Sequence, residues 1–307
     1  MTPTTITAAL ESRLGGWWFR PEPLARVAVL RTLVYLYLPL DLVVRTASVV
    51  PHAYGSADLY KPVHVLALLH QPAPTPWLVQ TLRVVIVAGS LLAAAGLRPR
   101  LLGVVAGTAY ADWTCLDMSY GKVDHDHLAI LVAVAVLPTV AAVRWRSTER
   151  SEAAGWALRC IEIAVVATYF LAAVAKMRFG TWHWASGAIF AWAIVRRGTT
   201  IARPLLDHPL VLLLAQWGLL ALEACTPALL VVRQRWRTLG VLALLSFHVM
   251  TWLMISINFA PLVVCLAVFL PLERIPAAVR SRRQSQARPS SSRPLSRTTS
   301  LSGRAPR

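Results

Sequence analysis

Charge is what this chain of 307 residues has little of: 15% of its residues are charged, where a soluble domain carries about 25%. With 56% of the residues hydrophobic, that scarcity excludes an ordinary soluble domain and points to a membrane protein. Acids are the scarcer sign, 14 against 31 basic residues, which leaves a net charge of +17. Nucleic acid is nevertheless not the expected partner. Most of the arginines sit in short clusters between apolar runs, and nine lie in residues 274–307, just after Glu273. That is the footprint of membrane topology, so the expected partner is the lipid bilayer. The four cysteines, Cys115, Cys160, Cys225 and Cys265, lie within or beside apolar runs with no metal-ligand spacing, which argues against a disulfide framework and a zinc site. Residues 1–23 lack an apolar core of about 7–15 residues and a small-residue cleavage site, so no cleavable signal peptide is expected. The first apolar run then serves as the insertion signal.

Lysine is the rarest basic residue, three against 28 arginines. One of the three, Lys176, ends the long apolar run CIEIAVVATYFLAAVAK and is followed by MRFGTWHWASG, an aromatic cluster closed by small residues. Arginine would serve wherever only positive charge is needed. Lysine can also lose its proton when desolvated and act as a base, which makes Lys176 a candidate active-site group. The plainer alternative is a lysine snorkelling from a helix end to the membrane interface.

A membrane-crossing helix needs about 20 mostly apolar residues. Eight stretches qualify, approximately 24–44, 77–97, 101–120, 127–143, 156–176, 209–232, 238–256 and 258–273. A ninth, 184–195, is too short to span and fits a re-entrant or interfacial helix. The expected fold class is therefore an all-α polytopic transmembrane bundle, with a segment 1–23 before it and an Arg/Ser/Pro-rich tail 274–307 expected to be disordered. With eight spans, Arg13, Arg20 and Arg26, Arg98 and Arg100, Arg144, Arg146 and Arg150, Arg233, Arg235 and Arg237, and the tail all fall on one side. The positive-inside rule makes that side the cytoplasm, with both termini in it and the protein in the cell membrane. The loop after the fifth span, with Arg178, Arg196, Arg197 and Arg203, is the exception.

In this topology most of the polar residues within or beside the spans gather in the outer half: Lys176, the GKVDHDH stretch with Lys122, Asp124, His125, Asp126 and His127, Asp112 and Asp117, and His248. Ionisable groups in spans are costly and by default face a bundle interior. Glu162, Tyr169 and Lys176 recur every seven residues as one stripe of a helix, and Tyr110, Trp113, Asp117 and Tyr120 recur at three and four. Each has a plain alternative. His248 can hydrogen-bond a neighbouring helix, and the DHDH stretch can be a solvated loop or an ion-pair cluster with Lys122. A metal site through His125, His127 and an Asp is chemically possible, but with no spaced third ligand in the sequence no metal is expected. Glu223 is expected to pair with an arginine or cap a broken helix near Pro227.

Four blocks resemble the horizontally transferred transmembrane (HTTM) domain family, the membrane part shared by vitamin K-dependent gamma-carboxylase and many bacterial proteins. They are LARVAVLRTLVYLYL with the embedded Arg31, VDHDHLAILVAVAVLP with His125, AVAKMRFGTWHWASGAIF with Lys176, and LEACTPALLVVRQRWRTLGVLALLSFHVMTWLMISINFAPL with Glu223 and His248. In order they extend over about residues 24–273. The resemblance implies Lys176 as the base that deprotonates a reduced quinone co-substrate, with His125 and His248 in support. A lysine in an apolar pocket near another cation suits that role. Departures are that Ala175 stands where the carboxylase has a second lysine, that Lys176 to Trp182 is one residue longer, that Asp124 replaces Asn, and that His127 replaces Tyr. The carboxylase also continues into a large lumenal domain that has no counterpart after residue 273. Glutamate carboxylation is therefore not expected, while quinol- or lipid-directed oxidoreductase chemistry of the epoxidase kind is. The alternative is a non-catalytic membrane binding, immunity or partner protein of the same fold. In that case Lys176→Met should be neutral or stabilising, since a buried charge is removed.

Overall fold

The computed structural model describes residues 15–275. The expected N-terminal segment falls in part, and the expected tail almost wholly, outside them. The regular structure of the described residues is helical, apart from one two-residue strand pair: β1 (Glu22–Pro23) and β2 (Arg150–Ser151) run antiparallel, with Glu22 opposite Ser151. The helices are α1 (Leu24–Val44), α2 (Val49–His52), α3 (His64–Leu68), α4 (Pro76–Ala94), α5 (Pro99–Met118), α6 (Leu128–Val136), α7 (Glu152–Gly180), α8 (Ala188–Arg197), α9 (Pro209–Ala224), α10 (Gln234–Ile255) and α11 (Ala260–Cys265).

Five segments are long and apolar enough to cross a membrane: α1, α4, α7, α9 with the 3-10 turn that carries it to Leu230, and α10. The all-α bundle is as expected, but the count of eight crossings is not reached by length and composition. Expected span 101–120 is α5, a 20-residue helix diluted by Arg100, Asp112 and Asp117. Expected spans 127–143 and 258–273 are the shorter apolar helices His125–Thr139 and Ala260–Phe269. Pro138 helps end the first of these, since it has no N–H to give a continuing helix. Segment 184–195 forms a 3-10 turn, Trp182–Ala185, and then α8, only ten residues long. Gly187 joins the two at φ +87°, in the left-handed region, and a Cβ there would press on the backbone of Leu213.

The core is built on α1 and α7. In each, 61% of the most apolar stretch is buried, against 17% for α10, so α10 is a peripheral wall rather than a central strut. Leu30, Val34, Tyr35 and Leu38 of α1 meet Trp113 of α5, Ile130 of α6 and Leu158 and Ile161 of α7 in one cluster. α4 and α5 form an antiparallel hairpin through residues 95–98 and pack closely on each other. Gly89 makes that approach possible, because a Cβ there would already touch the Ala106 methyl at 3.1 Å.

Candidate functional site

The stripe of α7 residues at sevenfold spacing does face other helices. Glu162 and Tyr169 are buried, and Lys176, two turns beyond Tyr169, is half-buried. Lys176 Nζ stands 2.5 Å from both carboxylate oxygens of Glu223 on α9 and 5.2 Å from the ring of Trp184. Glu223 therefore pairs with the lysine and not with an arginine. Its side chain caps no helix end either; the α9 terminus is closed by Thr226, whose hydroxyl donates to the Glu223 carbonyl at 2.8 Å. The charged neighbour of Lys176 is thus an anion rather than the second cation expected of an activated lysine.

His248 of α10 turns toward α7. Its Nε2 lies 2.5 Å from the Tyr169 hydroxyl, and its ring is flanked by Phe247 and Phe259 at centroid distances of 4.9 and 5.2 Å. The hydrogen bond to a neighbouring helix is real, yet His248 also faces open space. Lys176, His125 and His248 all line one cavity of about 710 Å³, together with Tyr169, Glu223 and Thr168. Apart from Thr251, the rest of its wall is aliphatic, aromatic or thioether, largely from α8, α9 and α10. The fold thus brings together the three residues singled out from the sequence. His125 is exposed and makes no side-chain hydrogen bond among the described residues, while His248 is buried in the wall. Trp182 stacks on Trp217 at 5.8 Å, and the Gln216 amide donates to the Trp184 carbonyl, fixing the aromatic cluster that follows Lys176.

A second buried centre escaped the sequence reading. Asp41, fully buried in α1, accepts from the Tyr37 hydroxyl at 2.7 Å and the Tyr110 hydroxyl at 2.8 Å, and lies 3.2 Å from His127 Nε2. Asp126 lies 3.3 Å from the other ring nitrogen of His127 and accepts from Arg45 at 3.2 Å. Lys122 holds Asp124 at 2.6 Å, the ion pair foreseen for the DHDH stretch. Donor atoms of Asp124, Asp126 and His127 come within 4.8 Å of one another. A cation there would have to displace Arg45 and Lys122 from the two carboxylates, and the contacts present are those of an ion-pair network. It also differs from the set considered from sequence, because His125 belongs to the cavity.

At the far end of α7 the stripe enters a different cluster. Glu162 pairs with Arg159 and, at 3.3 Å, with Arg237, while Glu22 receives Arg26 and Arg159, and Arg26 reaches Glu273 at 2.8 Å. A smaller set of polar groups thus sits toward the other end of α7, with Glu162 about 21 Å from Lys176 at 1.5 Å per residue. Arg31, buried in α1, donates to the carbonyls of Leu137, Val140 and Ala141 at 3.0–3.3 Å. It closes the orphaned end of the helical segment that begins at His125. No signal in α1 alone would have shown this, because the partners lie more than 100 residues away.

A model of the HTTM domain family matches residues 19–273. No curated protein and no solved structure matches the chain.

Proposed function

The chain belongs to the HTTM domain family, and on that footing we propose that its cavity takes a quinol- or lipid-like molecule from the bilayer and deprotonates it at the Lys176–Glu223 pair. The observation that carries this reading is the convergence of Lys176, Glu223, His125 and His248 on one apolar cavity. A cavity of that size suits a drug-sized or prenylated ligand, and its few polar groups are placed to orient one. In the epoxidase form of the reaction the base removes a hydroxyl proton from the quinol. Molecular oxygen then adds to the ring, one oxygen atom staying as the epoxide and the other leaving as water. The hydrocarbon wall keeps bulk water from the reacting centre.

The test is epoxide formation, followed by mass spectrometry. The protein is held in nanodiscs under oxygen with reduced menaquinone or vitamin K hydroquinone, wild type beside Lys176→Ala. Epoxide from wild type alone is expected. Equal yields from both would remove Lys176 from the chemistry. One observation favours a second, non-catalytic reading as a membrane binding or partner protein: Lys176 and Glu223 satisfy each other without any ligand. No product from either protein, with normal folding, would move the function there.

The arginine distribution supports eight crossings in the cell membrane, with the 95–98, 144–150 and 233–237 connections and both termini cytoplasmic. In that arrangement α5 and the two short apolar helices cross with the five long ones, and the cavity opens toward the outer half.

A further inference from the structure

We propose that Tyr169 and His248 form an acceptor-binding subsite in which His248 Nδ1–H hydrogen-bonds a carbonyl oxygen carried by a long apolar ligand. The inference rests on the reading of the cavity as a ligand site, and it adds the group that orients the ligand. His248 is 7% exposed and lines the cavity, yet its Nδ1 has no hydrogen-bond partner among the described residues. Buried polar atoms are seldom left so, because the loss of water is not recovered.

The proton inventory fixes what Nδ1 offers. If Nε2 carried the proton, it would donate to the Tyr169 oxygen. The Tyr169 hydroxyl hydrogen and the Nδ1 lone pair would then both be unmet, in two buried side chains. If Tyr169 donates to Nε2 instead, the hydroxyl hydrogen and the Nε2 lone pair satisfy each other and a single group is left over, an Nδ1–H donor. Phe247 and Phe259 flank the imidazole and limit its rotation away from the cavity. Tyr169 is thus a positioning residue that sets the tautomer, and His248 is the contact. The complement is an oxygen acceptor on an apolar body, because Met250, Met254, Ile257 and Leu262 supply hydrocarbon or thioether surface around it. A membrane provides such an acceptor in two forms, the ring carbonyl of a prenylated quinone and the ester carbonyl of a glycerolipid.

The experiment uses the full chain in nanodiscs and two readouts. Nitrogen-15 NMR of histidine-labelled protein gives the His248 tautomer, assigned by the signal lost in His248→Phe and, if that variant does not fold, in His248→Asn. Wild type should carry its proton on Nδ1, and Tyr169→Phe should lose that preference. A proton on Nε2 in wild type would overturn the proposal. Native mass spectrometry then compares retention of phylloquinone, monoolein and squalene. Removing the His248 donor should weaken phylloquinone or monoolein about tenfold, the size of one buried hydrogen bond, and leave squalene within about twofold. Loss for phylloquinone alone identifies a quinone carbonyl, and loss for both carbonyl probes identifies general carbonyl recognition that includes lipid esters. Equal retention of all three probes in wild type and variant would overturn the subsite. Carbonyl-dependent retention without epoxide would leave the subsite standing and remove the enzymatic reading, so the two fail separately.

Discussion

Lys176 and Glu223 meet across 47 positions of sequence, with the ammonium nitrogen 2.5 Å from both carboxylate oxygens. That contact changes what replacing the lysine should do. A neutral or stabilising Lys176→Met presumes an unpartnered ammonium; here the substitution strands Glu223, whose side chain is 7% exposed. Lys176→Met should destabilise by about 2–4 kcal/mol, and Lys176→Met with Glu223→Gln should recover most of it. Reversible unfolding in mixed micelles, run as a double-mutant cycle, checks this. Additive losses would mean that the pair contributes no coupling.

Asp41 sets the second expectation. Its carboxylate faces three donors, and an asparagine amide turns one acceptor position into a donor. Asp41→Asn should cost about 1–3 kcal/mol, and Tyr37→Phe, which removes one donor and keeps the other two, about 1 kcal/mol. Thermal unfolding of the two variants beside wild type tests the order. An Asp41→Asn protein as stable as wild type would show that the network is not a stability element.

The two centres differ in how far the sequence disclosed them. Lys176 stood out because lysine is rare and the residue closes a long apolar run. The sevenfold stripe of Glu162, Tyr169 and Lys176 then fixed one buried face of α7, as helical geometry requires. Its partner could not be read, because pairing with Glu223 depends on how α9 returns past α7 after the α8 excursion, and seven arginines lie closer to Glu223 in sequence than Lys176 does. Asp41 was hidden for a different reason. It sits near the end of an apolar helix, where a polar residue is unremarkable, and its partners Tyr110 and His127 come from 69 and 86 residues away. The short helices α2 and α3 left too few turns for any periodicity to register. Helix length and apolarity were least legible where charge enters a helix, as in α5, or where Pro138 shortens one.

Topology provides the third expectation. Reporter fusions after residues 97, 147 and 234 should report the cytoplasmic side, and fusions after residues 122, 183 and 257 the opposite side. Accessibility of single introduced cysteines to a membrane-impermeant reagent gives the same map without truncation. If residues 97 and 122 lay on one side, α5 would not cross, and the outer placement of the Lys122–Asp124 pair would fail with it.

The last expectation concerns a glycine that holds the start of α7 against the chain entering α1. A Cβ on Gly155 would collide with the backbone carbonyl oxygen of Arg20, and backbone cannot swing aside as a flexible side chain can. That approach seats the β1–β2 pairing, lets the Arg150 guanidinium donate to the Pro21 carbonyl at 2.8 Å, and brings Glu22 within reach of Arg159. Gly155→Ala should therefore cost about 1–3 kcal/mol as an overpacking change, despite alanine's better helix propensity. Gly218 in α9 is the control, since a Cβ there meets nothing within 4 Å. Gly218→Ala should be neutral or stabilising by up to about 1 kcal/mol. Unfolding midpoints for the two variants, measured side by side in the same micelles, should fall for Gly155→Ala and hold or rise for Gly218→Ala. A shared rise would mean that residues 20–23 yield to the added methyl and that their docking on α7 is not tight.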